Sequence, residues 1–600
     1  MTEPIRVANC SGFFGDRPSG AVEMVEGGPI DVLTGDWLAE LTMLILSRIR
    51  AKRPGQGYAR TFVAQMEQVM GTCLDRGIRV VSNAGGLDPD GCAEAVHEVA
   101  QRLGLSPTIA YVDGDDLLDR IAALAADGDL RPFVDGGDLG DVDRFVSANA
   151  YLGCFGIVDA LESGADIVIT GRVTDAAVVC GPAAWHHGWE RTDLDQLAGG
   201  VVAGHVIECS GQATGGNYSF FDEIEGRTDV GGGARFGFPW ADIAADGSSV
   251  VGKHDGTGGA VTVGTVTSQL LYEIGGPRYL GPDVTARFDT IELEQVERDR
   301  VRISPVRGEA PPPTLKVAMN ELGGYRNSFS VALTGLDIEA KAEFAQATFW
   351  DACACGPDDF ESIDSRVIRT DKDDPATQEE ATAVWRVTVK DADERKVGRA
   401  FSDAQVHTAL SGIPGLYGLG GGPSAASPFG VYRPARIDAS LVPQNVTVLG
   451  GDITRIESRA PLDGVEVPPV DVDDGVPAEA SGRWRDAPTT SSPLGSVIGT
   501  RSGDKGGDAN IGVFTRSDDA FEWIDAFLTV ERLAELLPET ATTAIDRHRF
   551  PKLRALNFVV HDLLQEGVAA STRQDGQAKA VGEWLRARVV DVPTSLLDDA

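Results

Sequence analysis

The sequence is poor in basic residues. Its 600 residues include 53 Lys and Arg against 91 Asp and Glu, which gives a formal net charge of −38. A chain this acidic repels polyphosphates and anionic lipid surfaces at long range, so neither nucleic acid nor a membrane is an expected partner. An anionic small molecule would be bound only where cations gather in a local pocket.

Long apolar runs and closely spaced cysteines are also missing. No segment reaches the roughly 20 apolar residues that a membrane-spanning helix requires, and the first residues lack the basic and apolar regions of a secretory signal. Of the eight cysteines only Cys353 and Cys355 are close, a spacing too short for a zinc knuckle. We therefore expect a cytoplasmic protein with reduced thiols and no bound metal. A homo-oligomer is expected from the base rate for proteins of this size.

Hydrophobic residues make up 42% of the chain, which is typical of a folded globular protein. Short apolar runs alternate with amphipathic stretches in residues 1–200. This alternation predicts an α/β fold, in which helices cover both faces of a parallel sheet. Helices are predicted to begin near residues 35–36 and near Pro89, and strands are predicted at 5–9, 30–34, 78–82, 108–112 and 166–170.

The rest of the chain divides into three predicted segments. Residues 201–460 predict a mixed α+β domain, with half-buried strands near 291–296, 325–331 and 385–389 and a helix over 339–352. Recurring prolines beside an acidic patch predict a semi-extended linker over 461–492. Residues 493–600 predict a small α+β domain with strands near 495–500, 510–514 and 556–563 and helices near 519–537 and 577–588.

Glycines and small polar residues follow the predicted parallel strands. The carboxyl ends of such strands meet at one edge of the sheet, where these segments either form a pocket for a carboxylate or phosphate or simply make tight turns. Arg172 is the candidate cation, and its alternative role is a structural ion pair with Asp175. The motif G-x-G-x-x-G is absent, so NAD is not predicted. The candidate anion-binding residues are Asn9, Gly12, Asp16, Asp36, Asn83, Gly85, Gly86, Arg172 and Asp175.

Proton-transfer candidates occur in a glycine-rich stretch of the middle region. His205 and Glu208 have the spacing of a helical metal pair, but the surrounding valines and glycines do not favour a helix, so we predict no metal there. Cys209 is either a buried inert thiol or a nucleophile. Asn217, at the end of the stretch, is a candidate substrate-binding residue.

A second acid–base candidate is the adjacent pair Lys253 and His254. Lysine is scarce in this chain, and this one precedes a histidine in a glycine-rich turn. A surface turn that contains the two residues by chance is the alternative.

The predicted C-terminal domain opens with a glycine-rich, charged segment, residues 499–510. It is predicted to connect two strands and either to cradle a phosphate or carboxylate or to be a charged hairpin loop. It lacks the G-x-x-x-x-G-K-[ST] frame of a nucleotide-binding loop. The candidate binding residues here are Arg501, Ser502, Lys505 and Asn510.

Several of these motifs resemble those of the acyclic terpene utilisation AtuA family. They are residues 7–16 (VANCSGFFGD), 82–86 (SNAGG), 169–175 (ITGRVTD) and 253–261 (KHDGTGGAV), with 501–506 (RSGDKG) and 557–559 (NFV) near the end. The resemblance implies a ferredoxin-like fold for the C-terminal domain. It also implies a setting in the bacterial breakdown of branched isoprenoid acids through coenzyme A thioesters. It supplies no settled set of catalytic residues.

These observations together predict a cytoplasmic enzyme that acts on a branched acyl-CoA or a related carboxylic acid by lyase or hydratase chemistry. Coenzyme A would enter as part of the substrate, and no other cofactor is predicted. One alternative is a non-catalytic subunit of an acyl-CoA pathway complex. Another is a thioester hydrolase that uses Cys209 or Ser210, although the sequence shows no nucleophile elbow.

Overall fold

The computed structural model describes residues 3–134, 136–224, 235–420, 424–458 and 482–598. The chain forms two compact units. The first comprises Met1–Asn320, Tyr432–Val568 and Gln577–Ala600, and the second comprises Glu321–Val431 and Ala569–Gly576. The predicted domain boundaries at residues 200 and 460 stay a prediction, and residues 461–481 of the predicted linker lie outside the described residues.

An eleven-stranded sheet is the centre of the first unit. Its five middle strands pair in parallel, as in the register of Val7 with Val32 and of Val81 with Val168, and antiparallel strands extend both edges. The spatial order is Leu293–Glu297, Arg300–Ile303, Ser249–Lys253, Pro239–Ile243, Ile5–Asn9, Val32–Gly35, Arg79–Ser82, Ile167–Thr170, Ile109–Asp113, Gln444–Val448 and Ile453–Ile456.

Both faces of this sheet are covered, which explains why its strands are continuously apolar. Successive residues of a strand point to opposite faces. One hydrophobic core therefore contains Val7, Val32, Val81 and Val168, and a second contains their neighbours Ala8, Leu33, Val80 and Ile167. The predicted α/β fold class is confirmed.

Nine helices surround the sheet in the described part of the first unit before Asn320. The helix predicted to open near residues 35–36 begins only at Glu40, which leaves Asp36 in a buried loop beyond the strand. The helix at Pro89 begins as predicted, with proline in its first turn. The bounds are Gly20–Gly27, Glu40–Lys52, Arg60–Arg76, Pro89–Leu103, Ile121–Ala126, Phe155–Glu162, Ala177–His187, Leu194–Ile207 and Val263–Leu270.

The helix Leu194–Ile207 corrects the expectation that its valines and glycines disfavour a helix. Its glycines are contact points. A Cβ on Gly199 would lie 1.9 Å from the Gly247 carbonyl oxygen, and one on Gly204 would lie 2.7 Å from the Ala176 Cα. Close packing of a buried helix outweighs the low intrinsic helix propensity of glycine here.

The segment that follows the predicted linker folds around its own hydrophobic core. Its four antiparallel strands lie in the order Gly499–Lys505, Asp508–Phe514, Ala555–Val560 and Ile545–Phe550. A further pair joins Thr489–Pro493 to Val589–Pro593. The helices are Gly482–Arg485, Asp518–Phe527, Val530–Leu536, Val581–Arg586 and Thr594–Asp598.

The first unit also contains smaller strands. Three of them form a sheet beside the helix Leu194–Ile207, namely Arg278–Leu280, Thr285–Arg287 and Arg307–Glu309. The others are Arg131–Pro132 and Phe145–Ala150. The chain enters the second unit within the strand Thr314–Thr334 and leaves it within the strand Ser427–Asp438.

The second unit is an α+β unit with an aromatic core. Residues Tyr325–Thr334, at the end of the long strand Thr314–Thr334, pair antiparallel with Thr382–Asp391. The strand Thr382–Asp391 also pairs with Ser362–Ile368, and Leu416–Leu419 pairs with Thr314–Thr334. The helix predicted over 339–352 spans Ile338–Ala352, followed by Glu394–Val397 and Arg399–His407. Across the described ranges of the whole chain, no helix is both long enough and apolar enough to span a bilayer.

Candidate functional site

The carboxyl ends of the parallel strands bring several predicted residues together. Beyond Arg79–Ser82, the Asn83 side chain accepts a hydrogen bond from the Trp37 main-chain N–H at 2.8 Å and donates one to Asp36. At the end of Ile5–Asn9, the Asn9 amide donates to the Glu208 carbonyl at 3.2 Å. All of these side chains are buried. The edge of the sheet is therefore connected to the end of the helix Leu194–Ile207.

Arg172 is the central cation of this edge. Its side chain is 2% exposed, and Nη1 donates to Asp175 Oδ1 at 2.5 Å, which is the ion pair expected as the alternative role. Nε has no hydrogen-bond partner among the described residues. Burial opposes the charge of a guanidinium, but Asp175, Tyr151 and Asp36 outweigh it and raise the pKa of Arg172. A fixed, buried cation with an unused donor is suited to an anionic ligand.

A buried carboxyl group fixes the main chain at Arg172. Asp115 Oδ2 accepts hydrogen bonds from the Arg172 N–H at 2.9 Å and from the Asn149 amide at 2.7 Å. Gly171 permits this approach, because a Cβ there would lie 2.2 Å from Asp115 Oδ1. Burial raises the pKa of Asp115 to about 7, and its hydrogen bonds only partly offset this rise.

A tyrosine, a lysine and a glutamate extend the site beside Arg172. The Tyr151 ring lies under the guanidinium, with 4.1 Å from the Arg172 Cζ to the ring centre, and Lys316 Nζ lies 4.9 Å from the same ring. The Tyr151 hydroxyl donates to Glu40 Oε1 at 3.2 Å, and Lys316 Nζ lies 3.4 Å from that oxygen. Burial would raise the pKa of Glu40, but Lys316 and Arg172 lower it to about 2, so this carboxylate stays charged.

Glu208 has the opposite protonation tendency. It follows the helix Leu194–Ile207 and is buried, and its Oε2 has no hydrogen-bond partner among the described residues. Burial and the charges of Asp175 and Glu273 raise its pKa well above the usual range. Burial therefore favours the neutral, protonated form of Glu208, which can donate a proton.

His205, the predicted partner of Glu208, lies next to it, but its pKa is shifted in the opposite direction. His205 Nδ1 lies 3.2 Å from Glu208 Oε1, one helical turn away. The His205 ring packs against Tyr279 and Phe288, with 5.3 Å between ring centres in each case, and these two rings stack on each other. Burial lowers the pKa of His205 to about 4, so the imidazole is neutral. Cys209 is unsuited to thiolate chemistry, because burial and Glu208 raise its pKa well above the usual range.

The C-terminal segment at residues 482–598, which we call the ferredoxin-like segment, also contributes side chains to this site. The Arg501 guanidinium lies over the Tyr272 ring, 4.0 Å from its centre, and donates to Gln212. Lys505 Nζ donates to the Glu273 carbonyl at 3.1 Å. Burial and the charges of Glu273 and Glu40 raise the pKa of Asp504 to about 8. The C-terminal segment thus adds the cations Arg501 and Lys505 and the carboxyl group of Asp504 to the site.

We call this assembly the central cluster. Its members act on one another electrostatically, as the causes of their pKa shifts show. Three of the chain's ten lysines belong to it, although lysine is rare in the sequence. The central cluster consists of the acids Asp36, Glu40, Asp175, Glu208, Glu273 and Asp504, the cations Arg172, Lys316, Arg501, Lys505 and Lys579, and Tyr151.

Three side chains of the central cluster remain partly accessible to water. The side chains of Glu40 and Asp175 are each 30% exposed and that of Lys316 is 33% exposed. Burial is nevertheless the largest influence on the pKa values of Glu40 and Lys316. The surrounding protein therefore governs the pKa values of Glu40 and Lys316, although water reaches both side chains, as it must for a group that meets a ligand.

Other predicted residues have contacts outside the central cluster. His254 Nε2 lies 3.0 Å from the Met24 carbonyl oxygen. Lys253 Nζ donates to the Thr257 carbonyl at 2.8 Å and lies 3.2 Å from Asp299 Oδ2. The structure therefore does not bring the Lys253–His254 pair together with His205 and Glu208, and it gives both side chains other partners.

The remaining predicted residues shape the chain around the site. Gly12 packs on the main chain of Cys209, where a Cβ would lie 2.7 Å from the carbonyl carbon, and its N–H donates to Asp16 at 3.0 Å. Gly85 packs on the Thr170 carbonyl, and Gly86 has a φ of 56°. Asn217 is exposed. Ser502 accepts a hydrogen bond from the Gly582 N–H at 2.9 Å.

The predicted loop at residues 499–510 is a hairpin. Residues up to Lys505 form one strand, Gly506 and Gly507 form the turn, and Asp508 begins the next strand. The interpretation as one long loop between strands is corrected, because the segment pairs along its length, with Arg501 opposite Gly512 and Lys505 opposite Asp508. Arg501 and Lys505 reach the cluster from strand positions.

Several members of the central cluster were not predicted from the sequence. Tyr151, Lys316 and Glu40 have no motif around them, and they meet only through contacts between distant parts of the chain. Asp504 lies inside the charged segment 499–510, so the composition of that segment could have pointed to it. Within the described ranges, no group of three or more His, Cys, Asp or Glu residues is arranged to hold a metal ion.

Comparison with known proteins agrees with the motifs. The family described as acyclic terpene utilisation family protein AtuA matches residues 5–448, and the AtuA ferredoxin-like domain matches residues 492–591. No curated protein matches the chain, and no solved structure does. The two matches cover both the sheet that presents Arg172 and the segment that presents Asp504. The chain belongs to the AtuA family of acyclic terpene utilisation proteins.

Proposed function

We propose that this protein is an enzyme that transfers protons on a branched acyl-CoA thioester, or a related carboxylic acid, in lyase or hydratase chemistry. The observation that carries the proposal is the pairing of opposite roles in one cluster. Glu208 is a buried carboxyl group whose pKa is raised, and Arg172 is a buried cation with an unpartnered Nε among the described residues. Family membership places the chain in acyclic terpene utilisation.

Arg172 would stabilise the negative charge that develops on the carbonyl oxygen. Removing a proton from the carbon next to a thioester places charge on that oxygen, and a fixed donor in a pocket of low dielectric lowers the barrier. Asp175 and Tyr151 hold the guanidinium in place before the substrate arrives. No reorganisation of the cation is then needed during the reaction.

Glu208 would supply the proton for the leaving group. In the elimination direction, a base takes the proton of the carbon next to the carbonyl, and the electron pair of that C–H bond forms the double bond. The C–O bond to the hydroxyl group breaks, and the Glu208 proton completes a water molecule. Hydration runs through the same steps in reverse, with Glu208 as the group that receives the proton.

The first test measures binding. Thermal unfolding of the purified protein is recorded with coenzyme A, with several branched acyl-CoA thioesters and with the matching free acids. A ligand at 100 times its dissociation constant stabilises the folded protein by about 2.7 kcal/mol. Stabilisation by thioesters supports the proposal. If none of these compounds stabilises the protein, a non-catalytic subunit is favoured, and co-purification from cells is the next experiment.

The second test measures proton transfer. NMR follows the dehydration of 3-hydroxy-3-methylbutanoyl-CoA, which uses both the C2 proton and the hydroxyl leaving group. Glu208→Gln keeps the shape of the side chain but removes the transferable proton, and Arg172→Lys keeps the charge but loses the planar guanidinium. Both should slow dehydration roughly 100-fold or more. Arg302→Ala removes an exposed ion pair with Glu294 and serves as the control that leaves dehydration unchanged. Equal dehydration rates in all three variants would contradict the assignment.

A further inference from the structure

A short turn carries Glu273 into the central cluster. It follows the helix Val263–Leu270, and Glu273 has a φ of 56°, a left-handed conformation that costs free energy for a residue with a side chain. Such a conformation persists only where neighbouring groups hold it. The contacts of this turn therefore show what sets the position of Glu273.

Two buried asparagines of the ferredoxin-like segment hold the turn. The Asn510 side chain accepts from the Glu273 N–H at 2.9 Å and donates to the Leu271 carbonyl at 2.7 Å. The Asn557 amide donates to the carbonyl groups of Ile274 and Gly275 at 3.1 and 2.6 Å. These bonds satisfy the main-chain groups on both sides of Glu273.

The two asparagines also support each other. Asn510 donates from Nδ2 to Asn557 Oδ1 at 2.8 Å. Both side chains are fully buried and lie on adjacent strands, where Gly512 pairs with Asn557 and Asn510 pairs with Val559. Their amide groups are therefore fixed by the sheet and can act as a rigid template for the turn.

The neighbouring strand of the same sheet, Gly499–Lys505, also contacts the turn. Gly503 packs against Tyr272, where a Cβ would lie 2.4 Å from the Tyr272 Cε2, and Lys505 Nζ donates to the Glu273 carbonyl. Asp504 lies between these two contact residues. The charge of Glu273 also acts on the Asp504 carboxyl group and raises its pKa.

The Glu273 carboxyl group acts on much of the central cluster. Its charge contributes to the pKa shifts of Glu208, Asp504, Lys505 and Arg501. Burial raises the pKa of Glu273 itself. The Glu273 carboxyl group therefore shares a charged environment with Glu208, in which a carboxyl group can receive or deliver a proton.

We propose that Glu273 is the second proton-transfer residue of the site and that Asn510 and Asn557 are positioning residues that fix its carboxyl group there. This inference rests on the proposed proton transfer at a thioester. It gives the ferredoxin-like segment a definite role, because the segment supplies the template that sets the Glu273 conformation. Glu208 and the residues at the sheet edge account for only one of the two proton-transfer steps. Glu273 then makes the other.

The test separates the placement of the turn from its chemistry. Hydrogen–deuterium exchange of the full-length protein reports on residues 271–276, and the deuterium exchange of 3-methylbutanoyl-CoA reports on proton transfer. Asn510→Ala and Asn557→Ala should speed amide exchange in the turn. They should also lower kcat of thioester exchange roughly 100-fold, the cost of misplacing a reacting group by about 1 Å, with KM unchanged. Glu273→Gln should lower kcat roughly 100-fold while the turn stays protected.

Thr540→Val is the matched control. It removes a buried hydrogen bond of the same segment, from the Thr540 hydroxyl to the Leu537 carbonyl at 2.8 Å, with no contact to the turn. It should leave both the turn and kcat as in the native protein. A loss of kcat in Thr540→Val equal to that in Asn510→Ala would overturn the positioning role.

Two further outcomes distinguish this inference from the proposed function. If the native protein exchanges the thioester protons and Glu273→Gln does so at the same rate, the inference is overturned and the proposed function stands. If the native protein exchanges no thioester protons, the proposed function is overturned, and with it the catalytic role of Glu273. Unchanged amide exchange in Asn510→Ala would overturn the positioning role in either case.

Discussion

The Tyr151 ring contacts both Arg172 and Lys316, at 4.1 Å from the guanidinium carbon and 4.9 Å from the ammonium nitrogen. Like charges repel each other, and the electron-rich face of the ring attracts both cations. The Tyr151 hydroxyl also donates to Glu40, the carboxylate that neutralises Lys316. One side chain therefore organises the cationic side of the central cluster.

Substitutions at Tyr151 should separate the ring from the hydroxyl. Tyr151→Phe removes only the hydrogen bond to Glu40 and should cost about 0.5–1.5 kcal/mol of folding stability. Tyr151→Leu also removes the aromatic face, and each lost cation–π contact should add about 0.5–2 kcal/mol. Denaturant unfolding of both variants measures the difference. If the two variants unfold at the same denaturant concentration, the ring does not stabilise the cations.

Gly12 should tolerate no side chain. The Cβ of Gly12→Ala would lie 2.7 Å from the Cys209 carbonyl carbon and 2.9 Å from the Glu208 carbonyl oxygen, which are main-chain atoms that cannot rotate away. We expect destabilisation of about 1–3 kcal/mol from overpacking, together with weaker stabilisation by thioesters, because Glu208 is displaced.

The control for Gly12 is a helical glycine with free space. Gly71 lies within Arg60–Arg76, and its nearest neighbour would be 3.9 Å from a new Cβ. Gly71→Ala should stabilise the protein by about 0.5–1 kcal/mol, because alanine loses less entropy in a helix. Thermal unfolding of both variants tests the pair, and a Gly12→Ala protein as stable as the native chain would contradict the close approach of Gly12 to Cys209.

The sequence predicts the edge of the sheet better than it predicts the site. Continuous apolar runs followed by Asn9, Asp36, Asn83 and Arg172 suffice to place these residues together, since parallel strands end at one edge. Lys316 and Glu40 are 276 residues apart, and no local pattern relates them. Their meeting depends on tertiary packing, which a local pattern does not encode.

Asp115 should make the protein less stable as pH rises through the weakly acidic range. Its pKa is raised by burial from 3.8 to about 7 in the folded protein. Between these values the folded state holds a proton that the unfolded state releases, so the Asp115 contribution to stability falls as pH increases. Asp115→Asn is neutral at every pH and keeps an oxygen for the Arg172 and Asn149 donors.

The measurement for Asp115 is denaturant unfolding of both proteins between pH 4 and pH 7.5. Relative to the native chain, Asp115→Asn should gain stability across this range and show no further relative change above it. A stability difference that is independent of pH would show that Asp115 is charged in the folded protein. Asp242→Asn is the control, because it replaces an acid in a partly exposed ion pair with Arg6 and should not gain stability as pH rises.

A buried ion-pair network in the ferredoxin-like segment should be sensitive to the loss of its acid. Asp525 is 3% exposed and accepts from Arg547 at 2.8 Å and from Arg549 at 2.5 Å. Asp525→Asn removes the negative charge that both guanidinium groups share, and Arg547, which is 2% exposed, has little access to water in its place. We expect a loss of about 3–5 kcal/mol, measured as a lower denaturant midpoint. Asp519→Asn breaks the exposed pair with Arg483 and should leave the midpoint unchanged. Equal effects of the two substitutions would mean that burial does not set the strength of the network.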